Sequence, residues 1–183
     1  MLWHVGDSVT LGVLMRILPA LVIAASLAAP PVFADEDAVG LKPEQIGQIF
    51  CLSRTGSDEG AISGLLTPEL TAAIADAWAR NDAWIAANPP DEKPPLGDGI
   101  QWQAWPDYAP DCTVGLATLM KTDAKVEISY AFPDSPDANF TDTLLLRRVV
   151  NEASLLEQWR IDNVAYATGG DLRTALTEAF EAP

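Results

Sequence analysis

Residues 113–132, TVGLATLMKTDAKVEISYAF, decide the fold. From Lys125 to Phe132 the chain alternates strictly. Val126, Ile128, Tyr130 and Phe132 fall on one side, and Lys125, Glu127 and Ser129 on the other. A period of two with one apolar face is the mark of a half-buried strand. Thr122-Asp123-Ala124 separates it from Thr113–Lys121, a hairpin-length connection between two strands. A polar loop, Pro133–Asn139, leads to a long strand at Phe140–Val150. Asn151-Glu152-Ala153 turns the chain into a fourth strand, Leu155–Tyr166.

The flanking segments carry a helical period instead. Pro43 and Glu44 open a short helix, since proline suits a first helical position and an acid complements the positive helix end. Its stripe is Ile46, Ile49, Phe50 and Leu52, and Gly56–Gly60 stops it. A brief turn is expected over Ala61–Leu66. Thr67-Pro68-Glu69 starts the longest helix, with Thr67 as cap. Leu70, Ile74, Ala77, Trp78, Trp84 and Ile85 are expected on its inner face, and Pro89-Pro90 ends it. Pro89–Gly99 reads as an irregular connection, and Ile100–Trp105 as a short edge strand or an extended loop. After the sheet, Gly169-Gly170-Asp171 caps a last helix with Leu172, Leu176, Ala179 and Phe180 inward. Helices, then a run of strands, then one helix is an α+β order. The expected architecture is an antiparallel meander of about four strands, one face covered by helices and the other partly open.

Met15–Ala34, MRILPALVIAASLAAPPVFA, reads as a secretory signal peptide. Arg16 precedes an apolar run from Ile17 to Ala29, too short for the about 20 residues of a membrane span but suited to a signal core of roughly 7–15. Val32-Phe33-Ala34 is a small-residue exit, so cleavage is expected after Ala34, and no cysteine stands there for a lipid anchor. Residues 1–14 lack a signal-like start. They read as an extension ahead of a true start at Met15, or as part of a longer leader cut at the same place. The expected organisation is therefore an extension (1–14), a leader (15–34), a flexible N-terminus (35–40) and one domain (41–183), exported to the periplasm or secreted.

Residues 1–34 carry one acid, Asp7, and one base, Arg16, so their loss leaves the formal net charge at −15. Such a surface repels phosphate backbones and anionic headgroups, which argues against nucleic acid and against charge-driven membrane binding. Cleavage also removes His4, the only histidine. The mature chain therefore has no Ser–His–Asp or Cys–His nucleophile system and no His-ligated zinc site. No phosphate loop, nucleophile elbow or metal cluster is present, and no cofactor is implied. Cys51 and Cys112 are the only cysteines, and export would place them in an oxidising compartment. One disulfide, worth roughly 4 kcal/mol for a loop of this size, is expected. The alternative is two buried free thiols.

Several strings resemble a bacterial envelope domain-of-unknown-function family (number 3828) of the nuclear-transport-factor-two-like or SnoaL-like cone group. They are Leu66-Thr67-Pro68-Glu69-Leu70, Gly97-Asp98 with Trp102 to Tyr108, Lys125-Val126-Glu127-Ile128, Trp159-Arg160-Ile161-Asp162-Asn163-Val164 and Gly170-Asp171-Leu172-Arg173. The resemblance implies a curved sheet wrapped by helices around a cone-shaped pocket, with no established activity.

Trp102, Trp105 and Tyr108 cluster beside Asp98, Asp107 and Asp111, as a platform for ring-bearing ligands or as rings that plug the sheet edge. With Tyr130 and Trp159, Trp102 and Trp105 are the pocket candidates. Trp159 and Ile161 point towards the core, Arg160 and Asp162 away from it. Asp162 is the carboxylate to test for catalysis, against a plain surface ion pair. Arg147, Arg148 and Arg173 are expected to pair with local acids. The leading expectation is a non-catalytic periplasmic protein that binds a small ligand or a protein. The alternatives are a histidine-free cone-fold hydrolase or isomerase, and an immunity or inhibitor protein for a secreted partner.

Overall fold

Four antiparallel strands lie in chain order across one curved, unclosed sheet: β1 (Asp111–Leu119), β2 (Asp123–Ala131), β3 (Phe140–Val150) and β4 (Glu157–Ala165). The computed structural model describes residues 40–56, 58–151 and 155–181, all within one compact unit, Asp35–Pro183. The expected extension, leader and cleavage site and residues 35–39 lie outside the described residues, as do Ser57 and residues 152–154 and 182–183.

The alternation read from β2 is what the sheet buries. Ala124, Val126, Ile128 and Tyr130 are buried, and Lys125 and Glu127 are exposed. Buried Ala124 shows why the expected connection was one step late. Met120 N donates to Asp123 O at 2.8 Å, so Lys121 and Thr122 form the tip and Asp123 and Ala124 already belong to β2. β3 has the expected bounds. β4 starts later than Leu155, because Leu155 takes a left-handed φ of 58° and donates its N–H to Asn151 O. Two bulges bend the sheet. Gly115 and Leu116 oppose a single residue, Glu127, and Asp162 is the extra residue where Leu145 pairs with Asn163 and Leu146 with Ile161. A bulge of this kind bends and twists its strand.

Helix α1 (Pro43–Gly56) lies on the sheet, packing on β1, β2 and β4. The Gln45 side chain accepts the Lys42 N–H at 2.8 Å, closing the helix start. Gly47 permits the close approach, since a Cβ there would stand 2.8 Å from Val114 Cγ1 and 3.1 Å from Val126 Cγ1. Leu52 was expected inside and is exposed, one position past the buried Phe50–Cys51 face. The expected turn after α1 contains a short helix, α2 (Gly60–Ser63), which buries Ile62.

Helix α3 (Pro68–Ala87) starts as expected, with Thr67 Oγ1 accepting the Leu70 N–H at 3.1 Å. It reaches β4 and the last helix rather than spreading over the sheet. Trp78 and Ile85, expected inside, are therefore exposed, while Leu70, Ala77 and Asn81 are buried. Residues 65–67 run alongside β4: Thr67 N donates to Ile161 O and Ile161 N to Leu65 O. Ile100–Trp105 is loop, not strand. After β4, Gly169 and Gly170 turn the chain at φ of 90° and 76°, where a side chain would be strained. They deliver Asp171, which caps α4 (Leu172–Glu178) by accepting the Thr174 N–H at 2.9 Å.

The Cys51 and Cys112 sulfurs are bonded, with Cα atoms 5.4 Å apart, tying α1 to the start of β1.

Candidate functional site

A cavity of about 270 Å³ opens between the segment 95–108, α4 and the end of α1. The segment supplies Leu96, Ile100, Trp102, Gln103, Trp105 and Tyr108. Helix α4 supplies Leu172, Ala175 and Leu176, and α1 supplies Arg54.

Arg54 stands one and two turns after Phe50 and Ile46, so helical geometry places it on the face α1 buries. It is 3% exposed. Its guanidinium carbon lies 5.7 Å from the Phe50 ring, 5.8 Å from Trp102 and 5.7 Å from Tyr108. Cation–π attraction offsets part of the cost of removing the charge from water. Its ionic partner, Glu59, is 3.5 Å away, and Ser53 Oγ is 3.4 Å from Nε. Both contacts are long for charge-assisted hydrogen bonds, which run at about 2.7–2.9 Å.

Two further polar groups of the lining residues lack partners. The Trp102 indole N–H and Gln103 Oε1 are buried without a hydrogen bond among the described residues. Gln103 Nε2 is engaged, donating to Asp107 O at 2.6 Å. The cavity is thus bordered by a buried cation, Arg54, among aliphatic and aromatic side chains and the polar Asp98, Gln101 and Gln103, while the Trp102 N–H and Gln103 Oε1 are buried in its wall.

The wall is held in place from behind. Asp142, fully buried on β3, accepts the Ala104 N–H at 2.9 Å and the Ala167 N–H at 2.8 Å. Burial pushes its carboxyl up from the ordinary value, and the two N–H groups only partly offset this. The Tyr166 hydroxyl donates to Gln101 O, and Asn81 Oδ1 accepts the Leu96 N–H at 3.0 Å. Burial and the nearby Asp142 raise both Tyr130 and Tyr166, so they remain neutral phenols.

Of the sequence-derived pocket candidates, Trp102 and Trp105 line the cavity. Tyr130 and Trp159 do not. Tyr130 stacks on Phe140 at 4.6 Å with its hydroxyl buried and unpartnered, and Arg148 covers the Trp159 ring at 4.6 Å. Both belong to the core cluster, which Leu96, Ile100 and Trp102 join from the cavity segment. That segment packs against the sheet, so the sheet's own rings end in core. Asp162 is also away from the cavity. Its oxygens take the Thr67 hydroxyl at 3.0 Å, Arg147 Nη2 at 3.0 Å and Arg173 Nη2 at 2.9 Å. Arg148 pairs with Glu157 at 3.4 Å.

Arg54, Gln103 and Asp142 were not singled out from sequence. The signals were there for two of them: Arg54 follows Ile46 and Phe50 at spacings of four, and Asp142 is in phase with Leu144 and Leu146.

No family model, curated protein or solved structure matches the chain. No group of three or more His, Cys, Asp or Glu among the described residues could hold a metal ion. No helix among them is long and apolar enough to cross a membrane.

Proposed function

We propose that the chain is an exported, non-catalytic protein that binds a small molecule in the cavity between residues 95–108 and α4. The observation that carries this reading is a buried cation held only by long polar contacts, Arg54, in the wall of a cavity that aromatic and aliphatic side chains share with a few polar ones. A buried guanidinium whose contacts are this long keeps donor capacity that a polar or anionic occupant can take up. Apolar walls with a few convergent polar groups are the usual composition of a ligand site. The clamps from Asp142, Tyr166 and Asn81 fix the wall in advance, which lowers the ordering cost of binding. Export is supported by the leader-like Met15–Ala34 and by a disulfide that needs an oxidising compartment. Membership of the envelope family it resembles, with that family's cone shape, is part of the same proposal.

Two experiments test it. Expressed with its own N-terminus and fractionated, the protein should be periplasmic and begin at Asp35; an uncleaved cytoplasmic form would overturn export. Small aromatic and aliphatic compounds should change tryptophan emission through Trp102 and Trp105. A panel that leaves the emission of the folded protein unchanged would overturn binding.

A protein partner is the second reading. It draws on exposed Leu119, Met120 and Val150, which share the end of the sheet where β1 leads into β2 and β3 finishes. The catalytic reading loses its first candidate, because three partners occupy Asp162 away from the cavity.

A further inference from the structure

We propose that the cavity selects a small organic monocarboxylate with an apolar or aromatic body, its carboxylate seated on Arg54. This deepens the binding reading above and rests on it.

Arg54 is a permanent cation, and it sits almost wholly out of water without a short ionic bond. A guanidinium presents paired donors in a planar fork that matches a carboxylate. Three aromatic rings hold its position, so little freedom is lost when an anion arrives.

Charge sets the upper limit. Glu59 already lies 3.5 Å from Arg54, and Asp98, another lining residue, is paired with Lys93. The chain as a whole carries −15. One partly neutralised cation in that field suits a single negative charge, and a dianion such as a phosphate monoester would be repelled. Size sets the other limit. At about 270 Å³ the space is just below the roughly 300–1,000 Å³ of drug-sized sites. Leu96, Ile100, Leu172 and Leu176 supply apolar contacts for the rest of the ligand, beside the polar Gln101 and Gln103.

The test compares acids with their uncharged amides at neutral pH: phenylacetate with phenylacetamide, and hexanoate with hexanamide, by tryptophan emission and calorimetry. Each acid should bind about tenfold or more tightly than its amide, the difference expected of a charge-assisted hydrogen bond. Phenyl phosphate should bind more weakly than phenylacetate. Arg54→Met should abolish the preference for acid over amide, with circular dichroism confirming the fold. If that variant fails to fold, the acid–amide ratio of the unaltered protein decides alone. Amides that bind as well as acids, or a phosphate that binds better, would overturn the carboxylate inference while leaving small-molecule binding intact. Silence from all the compounds would overturn both.

Discussion

Asp142 on β3 accepts the backbone N–H of Ala104 at 2.9 Å, 38 residues away in sequence. The same carboxylate accepts the Ala167 N–H, so one buried side chain fastens the cavity wall and the segment after β4 to the sheet. Asp142→Asn keeps the shape but swaps one acceptor oxygen for an amide donor. One backbone N–H should lose its partner, at a cost of about 1–3 kcal/mol. Urea unfolding at neutral pH measures this, and an unchanged midpoint would contradict the clamp.

The same residue gives a pH dependence. Its pKa is raised by burial from 3.8, so the folded protein binds this proton more tightly than the unfolded chain does. Its contribution is therefore greatest below 3.8 and is lost as pH rises through the higher folded value. The stability of the unaltered protein relative to Asp142→Asn should fall over that window. Asp171 is present in both proteins and cancels. A relative stability that rises with pH would contradict the assignment.

The sheet was legible because its alternation is undisturbed where it matters: Val126, Ile128 and Tyr130 face one way, and β3 has the bounds its residues suggest. The Thr67 cap is local chemistry, written in three consecutive residues. The cavity was harder to read because its parts meet only through tertiary structure. Arg54 in the last turn of α1 follows Ile46 and Phe50 in phase, but nothing local shows that Trp102 and Tyr108 arrive from a distant loop to cover it. The bulge at Asp162 does leave a mark, a change of phase from Trp159 and Ile161 to Val164, but the mark does not say which residue is the extra one. Trp78 and Ile85 misled for the opposite reason, since their spacing is helical but no sheet lies beneath them.

The disulfide should be present in protein expressed with its own N-terminus and isolated without reductant. Alkylation of the unfolded, unreduced chain should then find no free thiol. Reduction, or Cys51→Ser with Cys112→Ser, should cost about 2–5 kcal/mol and lower the melting temperature by several degrees. Two titratable thiols in the exported protein would refute the link between α1 and β1.

Gly47→Ala should destabilise the protein although alanine favours a helix by about 1 kcal/mol. The added methyl would meet Val114 Cγ1 at 2.8 Å and Val126 Cγ1 at 3.1 Å, and overpacking of this kind costs about 1–3 kcal/mol. Val114→Ala in the same chain should restore part of the loss by opening that space. A single variant as stable as the parent would show that α1 rides less closely on the sheet.

Asp162 separates a structural carboxylate from a working one. It holds the start of α3 through Thr67, β3 through Arg147, and α4 through Arg173. Its side chain is 15% exposed, whereas Arg147 is 45% and Arg173 31% exposed, so solvent screening weakens each pair. Asp162→Ala should therefore cost about 1–3 kcal/mol, less than the about 3–5 of a fully buried pair. Arg147→Ala should cost under about 1 kcal/mol, because its partner keeps Arg173. Phenylacetate binding should survive Asp162→Ala in the folded variant, since the carboxylate lies away from the cavity walls. If binding vanished while the fold and melting temperature held, Asp162 would belong to the site after all, and the catalytic reading would regain its acid.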